Sequence, residues 1–323
     1  MKKPIVIIAG EPNSISSEII FKSWKSRNKY NYRPLIIIGS IWLLQCQKKK
    51  LNYKIPIKEI KSNFNSENLG GNQLLVIDVK YKQKNPFEKI SIKSNKYIFN
   101  CFKVAINLIE NKKIEGFINC PVSKETLFKG RNLGITEFLA KKSGVPNREV
   151  MLIYNKKLSV SPLTTHVPLN QVNKRITKSN IVKKLKTINN FFRKKLNRNP
   201  KIAVLGLNPH SYSPSKKSEE KKIILPAIKT VKKLKINAIG PLSPDTSFMI
   251  YKLKKIDVIF GMYHDQVLTS FKALFRYNAL NITLGLPYTR ISPDHGVAEN
   301  IIGKNIANPE SLIESIKFFN SIK

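Results

Sequence analysis

Short apolar runs recur along the chain, at Ile5 to Ala9, Pro34 to Ile38, Leu74 to Val79, Gly116 to Ile118, Ile202 to Leu207 and Val258 to Phe260. They read as buried strands, and segments of helical period lie between them. This alternation is the signature of a parallel sheet with crossover helices, an α/β fold. The clearest helix follows Ser179, a suitable N-cap: Ile181, Val182, Leu185, Ile188, Phe191, Phe192 and Leu196 recur at helical spacing, with Lys and Arg on much of the remaining surface. A second starts at Asn308-Pro309 and is expected to bury Leu312, Ile313 and Ile316.

Three strand-like segments run directly into a histidine. Ile256 to Phe260 leads to Gly261-Met-Tyr-His264-Asp265-Gln266, Lys201 to Leu207 leads to Asn208-Pro209-His210, and the apolar segment Leu158 to Leu163 leads to Thr164-Thr165-His166. The chain has four histidines, so three of the four occupy strand-to-loop junctions. In open α/β sheets ligands bind beyond the carboxyl ends of the strands, where three imidazoles could converge on one ion or substrate. Neutral imidazole suits zinc and other borderline divalent ions, and three such ligands leave positions open for substrate. His166, His210 and His264 are therefore the candidate metal ligands. Asp265 and Asp245 stand near enough in sequence to orient them, or alternatively cap turns.

Composition narrows the partners. The chain holds 58 Lys and Arg against 20 Asp and Glu, a formal charge of +38. Lysines are spread along nearly the whole length, with no basic stretch interleaved with aromatics as a stacking platform would be, so no specific nucleic-acid partner is expected. The positive field would still attract a phosphorylated substrate. No run approaches the length of a membrane span, and the N-terminus reads as a first strand rather than a signal peptide. Cys46, Cys101 and Cys120 share no metal or redox spacing, which points to a reducing cytoplasm. Two stretches resemble linkers: Lys61 to Gly71, and Ser211 to Lys217, the latter either a flap over the site or a solvated loop.

The blocks LTTHVPL, GLNPH, GPLSPDTSF, GMYHDQVL, NALNITLGLPYTR and SPDHG, in this order and spacing, resemble the 4-hydroxythreonine-4-phosphate dehydrogenase family, the PdxA family of vitamin B6 biosynthesis. The likeness is most specific between Thr164 and Gly296, with NCPVSKE and GITEFLA as its best segments in the first half. It implies two α/β/α domains like those of isocitrate and isopropylmalate dehydrogenases, with the active site in the interdomain cleft and a homodimer partner completing each site. On this basis residues 1–125 with 296–323 form the domain of the first loop and the cofactor side. Residues 126–295 form the domain carrying the metal and substrate residues and the dimer contact. The resemblance further implies NAD- or NADP-linked, metal-dependent (Zn, Mg or Co) oxidation of 4-phosphohydroxythreonine to 2-amino-3-oxo-4-phosphooxybutanoate. That product decarboxylates to 3-amino-2-oxopropyl phosphate. Thr136, Lys272, Asn281 and Arg290 match the family's substrate-binding positions; a lysine, an amide and a guanidinium suit a ligand carrying phosphate and carboxylate.

The departures are specific. Where the family carries Gly-His-Thr-Glu, this chain has Gly134-Ile135-Thr136-Glu137, so Ile135 replaces an imidazole that would contact substrate. The glycine-rich loop after the first strand, typically Gly-Asp-Pro-Ala-Gly-Ile-Gly-Pro-Glu, is here Gly10-Glu11-Pro12-Asn13-Ser14-Ile15-Ser16-Ser17-Glu18. Serine at two glycine positions costs backbone freedom wherever a positive φ is required. No G-x-G-x-x-G motif is present, so the nicotinamide cofactor rests on the resemblance alone. Two other readings stay open: a dehydrogenase of a related acid such as a threonate phosphate, with a pocket reshaped around Ile135, and a non-catalytic descendant that binds metal or ligand.

Overall fold

The first apolar run becomes β1 (Ile5–Ile8), buried at every position. The computed structural model describes residues 3–31, 33–65, 67, 69–128, 134–211, 218–276 and 278–322. Contacts divide the chain into two units, Met1–Ile135 with Tyr288–Ser321, and Thr136–Pro287 with Ile322–Lys323.

In the first unit β1 is followed by α1 (Ser16–Ser26), β2 (Leu35–Gly39), α2 (Ile41–Lys50), β3 (Ile57–Glu59), β4 (Leu74–Asp78), α3 (Asn95–Glu110), β5 (Gly116–Asn119) and α4 (Lys124–Phe128). The strands lie in the order β3-β4-β2-β1-β5, all pairs parallel. β2 and β5 are as fully buried as β1, because helices must cover both faces of a parallel sheet. Helix α2 starts where the Ser40 hydroxyl accepts the Leu43 amide at 3.2 Å. Helix α3 buries Tyr97, Ile98, Cys101, Phe102, Ala105 and Leu108, one stripe at helical spacing.

The second unit comprises α5 (Ile135–Lys142) from Thr136 on, β6 (Val150–Tyr154), β7 (Ser159–Thr164), α6 (Leu169–Arg175), α7 (Lys178–Leu196), β8 (Ile202–Leu205), α8 (Leu225–Lys233), β9 (Ala238–Leu242), α9 (Pro244–Ile250), β10 (Val258–Tyr263), α10 (His264–Phe275) and β11 (Leu280–Leu284). Its sheet runs β11-β6-β7-β10-β8-β9. β6 is antiparallel to both β7 and β11, so the expected parallel sheet is in fact mixed. The cause is local: a short turn in which Asn155 Oδ1 accepts the Lys157 amide at 2.9 Å separates β6 from β7, and a connection that short joins only antiparallel strands. The chain then returns to the first unit as β12 (Thr289–Pro293), parallel to β5, and α11 (Glu310–Ser321).

The cap of α7 is Thr177, whose hydroxyl accepts the Asn180 amide at 3.2 Å, rather than Ser179, which lies inside the helix. Its buried stripe is Ile181, Leu185, Ile188, Asn189 and Phe192. In α11, Leu312 and Ile316 are buried as expected, Ile313 is only half-buried, and Asn308 Oδ1 accepts the Glu310 amide at 2.9 Å. Residues 212–217 of the Ser211 to Lys217 stretch, and 66 and 68 of the Lys61 to Gly71 stretch, lie outside the described residues. Among the described residues no helix is long and apolar enough to cross a membrane.

Candidate active site

Strands β7, β10 and β8 are neighbours and parallel, with Tyr263 beside Thr164 and Phe260 beside Val204. The histidine-bearing segments therefore leave the same edge of the second unit's sheet, His166 and His264 within two residues of paired positions. Their rings lie 6.1 Å apart, centre to centre. Beneath them Val267, Leu268 and Phe271 of α10 pack with Val160 and Ile259 in one buried cluster. Each such side chain is worth about 1.5–3 kcal/mol on burial, which fixes the base of α10 against the strands.

His264 opens α10 and its Nδ1 lies 2.6 Å from Asp265 Oδ1. His210 Nδ1 lies 3.2 Å from Asp245 Oδ2 on α9. The Ser243 hydroxyl, helped by the Thr246 amide and His210, holds the Asp245 carboxyl below its usual range. Both contacts engage Nδ1, which leaves Nε2 as the nitrogen available to a ligand, the arrangement common around metal-binding histidines. His210 and Ser211 adopt left-handed backbone conformations, φ +55° and +53°. That geometry costs a non-glycine residue about 1–2 kcal/mol and persists where the surroundings hold it.

The donor set suits a borderline divalent ion in its chemistry, and the three segments that carry it leave adjacent strand ends. Among the described residues, no three His, Cys, Asp or Glu side chains are grouped closely enough to hold one ion. Asp265 and Asp245, expected either to orient histidines or to cap turns, contact them directly.

The substrate positions fall elsewhere in the units. Helix α10 is unbroken from His264 to Phe275, which puts Lys272 roughly 12 Å down the axis from His264 at 1.5 Å per residue. Asn281 pairs with Ile153, which pairs with Val160, so it aligns with the start of β7, about 13 Å along the strand from Thr164. Its Oδ1 is buried with no hydrogen-bond partner. The Thr136 hydroxyl lies 3.4 Å from that of Thr283 on β11. Ile135, the first residue of α5, is buried at 4% exposure. Arg290 belongs to the first unit, where it is 3% exposed and its Nε donates to Asn119 Oδ1 at 2.7 Å.

The first loop also becomes clear. Gly10 alone takes a positive φ, +77°, and a side chain there would meet Pro121 O at 2.5 Å. Neither Ser14 nor Ser16 needs a positive φ, so the expected backbone cost is absent. Ser14 Oγ instead donates to Glu11 O at 2.7 Å and accepts the Ser16 amide at 3.1 Å, replacing glycine freedom with hydrogen bonds. Burial pushes the carboxyl of Glu11 up to about 6, against weak lowering by the Asn13 amide and the Ser94 hydroxyl.

Sequence reasoning missed Asn119, Gln266 and Glu220. Asn119 and Gln266 lay inside recognised blocks without a distinguishing signal. Glu220 sits in a charged stretch, Ser218-Glu-Glu-Lys-Lys, that carries no signal of burial, yet it is 3% exposed.

The family model for pyridoxal phosphate biosynthetic protein PdxA matches residues 31–319. A 4-hydroxythreonine-4-phosphate dehydrogenase from Sulfurihydrogenibium sp. (strain YO3AOP1) is 39% identical over 317 residues, covering 97% of this chain and 96% of the relative. A relative from Oceanobacillus iheyensis, provisionally named D-threonate 4-phosphate dehydrogenase, is 32% identical over 321 residues, covering 98% and 96%. The crystal structure of 4-hydroxythreonine-4-phosphate dehydrogenase from Klebsiella pneumoniae superposes with TM-score 0.84 at 28% identity, covering 98% and 97%. A β-decarboxylating dehydrogenase from Thermococcus kodakarensis, with TM-score 0.53, 12% identity and coverage of 99% and 84%, shares the fold alone. The chain, with its histidines on three adjacent strand ends, belongs to the PdxA family.

Proposed function

We propose that the protein is a metal-dependent, NAD- or NADP-linked dehydrogenase that oxidises the C3 hydroxyl of 4-phosphohydroxythreonine in pyridoxal phosphate biosynthesis. The product, 2-amino-3-oxo-4-phosphooxybutanoate, is a β-keto acid that loses carbon dioxide to give 3-amino-2-oxopropyl phosphate. The observation carrying this reading is the placement of His166, His264 and His210 beyond β7, β10 and β8 in a chain of this family. When bound, a divalent ion such as Zn, Mg or Co supplies Lewis acidity toward the substrate hydroxyl, and the nicotinamide supplies the hydride acceptor.

The chain's own residues would divide the remaining work. His264 and His210 would bind through Nε2 with their rings oriented by Asp265 and Asp245, and His166 would be the third ligand. Lys272 and Arg290 would supply the cations for phosphate and carboxylate, with the Arg290 guanidinium anchored by its Nε hydrogen bond to Asn119. Asn281 Oδ1, buried and unpartnered, accepts from a substrate hydroxyl or ammonium group, and Thr136 adds a hydroxyl.

Lys272 and Asn281 lie about 12–13 Å from the histidine edge within one chain. A homodimer in which a second copy completes each site would join the two sets. Met249 and Leu253, 79% and 82% exposed one helical turn apart, supply apolar surface for such a contact on the element that carries Asp245 or directly follows it.

The test is NADH or NADPH production over a panel of phosphorylated hydroxy acids with metal added. 4-Phosphohydroxythreonine should give the highest kcat/KM, and a His166→Ala, His210→Ala, His264→Ala triple variant should lose both turnover and bound metal. A folded triple variant that keeps its metal refutes the ligand assignment. Ile135 in place of an imidazole, together with the Oceanobacillus relative, favours a threonate phosphate as the second reading. A panel in which that acid turns over fastest would select it, and a panel with no turnover would mark a non-catalytic binder.

A further inference from the structure

The loop Gly206 to Ser211, which presents His210, is gripped at several points by groups from different elements. At its start the Gly206 amide donates to Leu242 O at 3.0 Å, and Gly206 O accepts the side-chain amide of Gln266 at 2.8 Å. The same side chain folds back so that its Oε1 accepts the Met262 amide at 2.7 Å. Gln266 therefore spans two neighbouring strand ends, that of β10 leading to His264 and that of β8 leading to His210. In the middle of the loop, Glu220 Oε1 accepts the amides of Leu207 and Asn208 at 3.0 and 2.9 Å, and both its oxygens accept Asn208 Nδ2 at 3.0–3.1 Å. At its end Ser211 Oγ donates to Leu242 O. Only glycine fits at 206, since a Cβ there would lie 2.4 Å from Ser211 Oγ.

Glu220 reaches this position from a π-helical turn, Glu220–Ile224, that leads into α8. Such single wide turns are uncommon and recur at functional sites, where they re-aim one side chain. An acceptor-only carboxylate is the natural group for a cluster of converging N–H donors. Gln266 is suited differently, because an amide alone offers an acceptor and a donor at once, and Met262 N and Gly206 O require one of each.

We propose that Gln266 and Glu220 are positioning residues, a clamp that fixes the left-handed His210 loop relative to His264 and so sets the geometry with which the two imidazoles meet a common ligand. The clamp rests on the metal-binding reading above, in that the ligand is taken to be a divalent ion.

The variants are Gln266→Glu, which keeps the acceptor for Met262 and removes the donor to Gly206, and Glu220→Gln, which turns an amide group toward N–H donors. Two readouts are measured on the full-length protein: Co²⁺ affinity with its absorption spectrum, and amide hydrogen exchange in metal-free protein. Each variant should weaken Co²⁺ binding by about 10–100-fold, with an altered spectrum. Exchange at Leu207 and Asn208 should quicken by about tenfold or more in Glu220→Gln, while Ala203 and Val204 inside β8 keep their parental rates. In a His210→Ala background Gln266→Glu should have no further effect on Co²⁺, since the clamp acts through that imidazole; in a His166→Ala background its effect should persist. Unchanged Co²⁺ affinity in both variants, or an equal loss with His210 already removed, overturns the proposal. If the parent binds no Co²⁺, the metal reading has failed, and loop exchange decides the clamp: faster exchange supports it, unchanged exchange refutes it. Should Glu220→Gln fail to fold, the half-buried Gln266→Glu carries the same test.

Discussion

Replacing Glu11 with glutamine should stabilise the protein near neutral pH and do nothing in mild acid. Glu11 is 1% exposed, and the hydrogen bonds of its carboxyl are long, 3.3 Å from the Asn13 amide and 3.2–3.3 Å from the Ser94 hydroxyl. Burial therefore outweighs them and, with a smaller push from Glu299, lifts its titration from 4.5 to about 6. The folded state thus binds the proton more tightly than the unfolded chain. The associated stability is complete below about pH 4.5 and is lost as pH rises through about 6. A shift of about 1.5 units at 1.36 kcal/mol per unit amounts to about 2 kcal/mol. Glu11→Gln keeps an acceptor for Asn13 and Ser94 and cannot ionise. Urea unfolding of both proteins across about pH 4.5 to 8 should show the variant gaining stability relative to the parent, from near zero to about 2 kcal/mol, with most of the change between 4.5 and 6.5. A difference that stays flat over this range, or that grows in the parent's favour, would refute the argument that an ionised, under-bonded carboxylate is buried in the first loop.

Gly10→Ala should cost about 2 kcal/mol or more in the same assay, because the position combines a positive φ with a backbone oxygen 2.5 Å from the added carbon; a loss under about 0.5 kcal/mol would contradict it. Iodoacetamide under native conditions should label Cys46 alone, as read by peptide mass spectrometry. Cys101 and Cys120 are fully buried, and burial pushes both thiols well above their ordinary range. Ile135→His should raise kcat/KM for 4-phosphohydroxythreonine by about tenfold, the lower end of the value of a charged hydrogen bond, mainly through KM and without changing metal content. No gain from an inactive parent would mean that the site serves another acid or is no longer catalytic, and damage to an efficient parent would mean that a neighbouring residue holds that part of the substrate.

The first loop illustrates how an altered motif can keep its structure. Sequence suggested that serine at two glycine positions would cost conformational freedom, yet the positive φ is concentrated at Gly10, which is retained, and Ser14 ties the turn through its hydroxyl. The same chemistry places an ionisable group, Glu11, under the turn with little to stabilise its charge.

By itself the sequence determined the α/β class, the positions of β1, β2, β4, β5, β8 and β10, the amphipathic faces of α7 and α11, and the occurrence of His166, His210 and His264 at strand ends. These are properties of short windows: unbroken apolar runs, helical periodicity and a polar residue at a fixed step beyond a strand survive whatever the rest of the chain does. Tertiary structure decided that β6 runs against its neighbours, that β7, β10 and β8 lie side by side, and that Lys272 and Asn281 fall at the other end of those strands from the histidines. It also decided the roles of Glu220 and Gln266, whose partners are as many as 13 and 60 residues away in sequence. Strand order and side-chain hydrogen bonds are set by which surfaces cover one another, and no local window of sequence contains both surfaces.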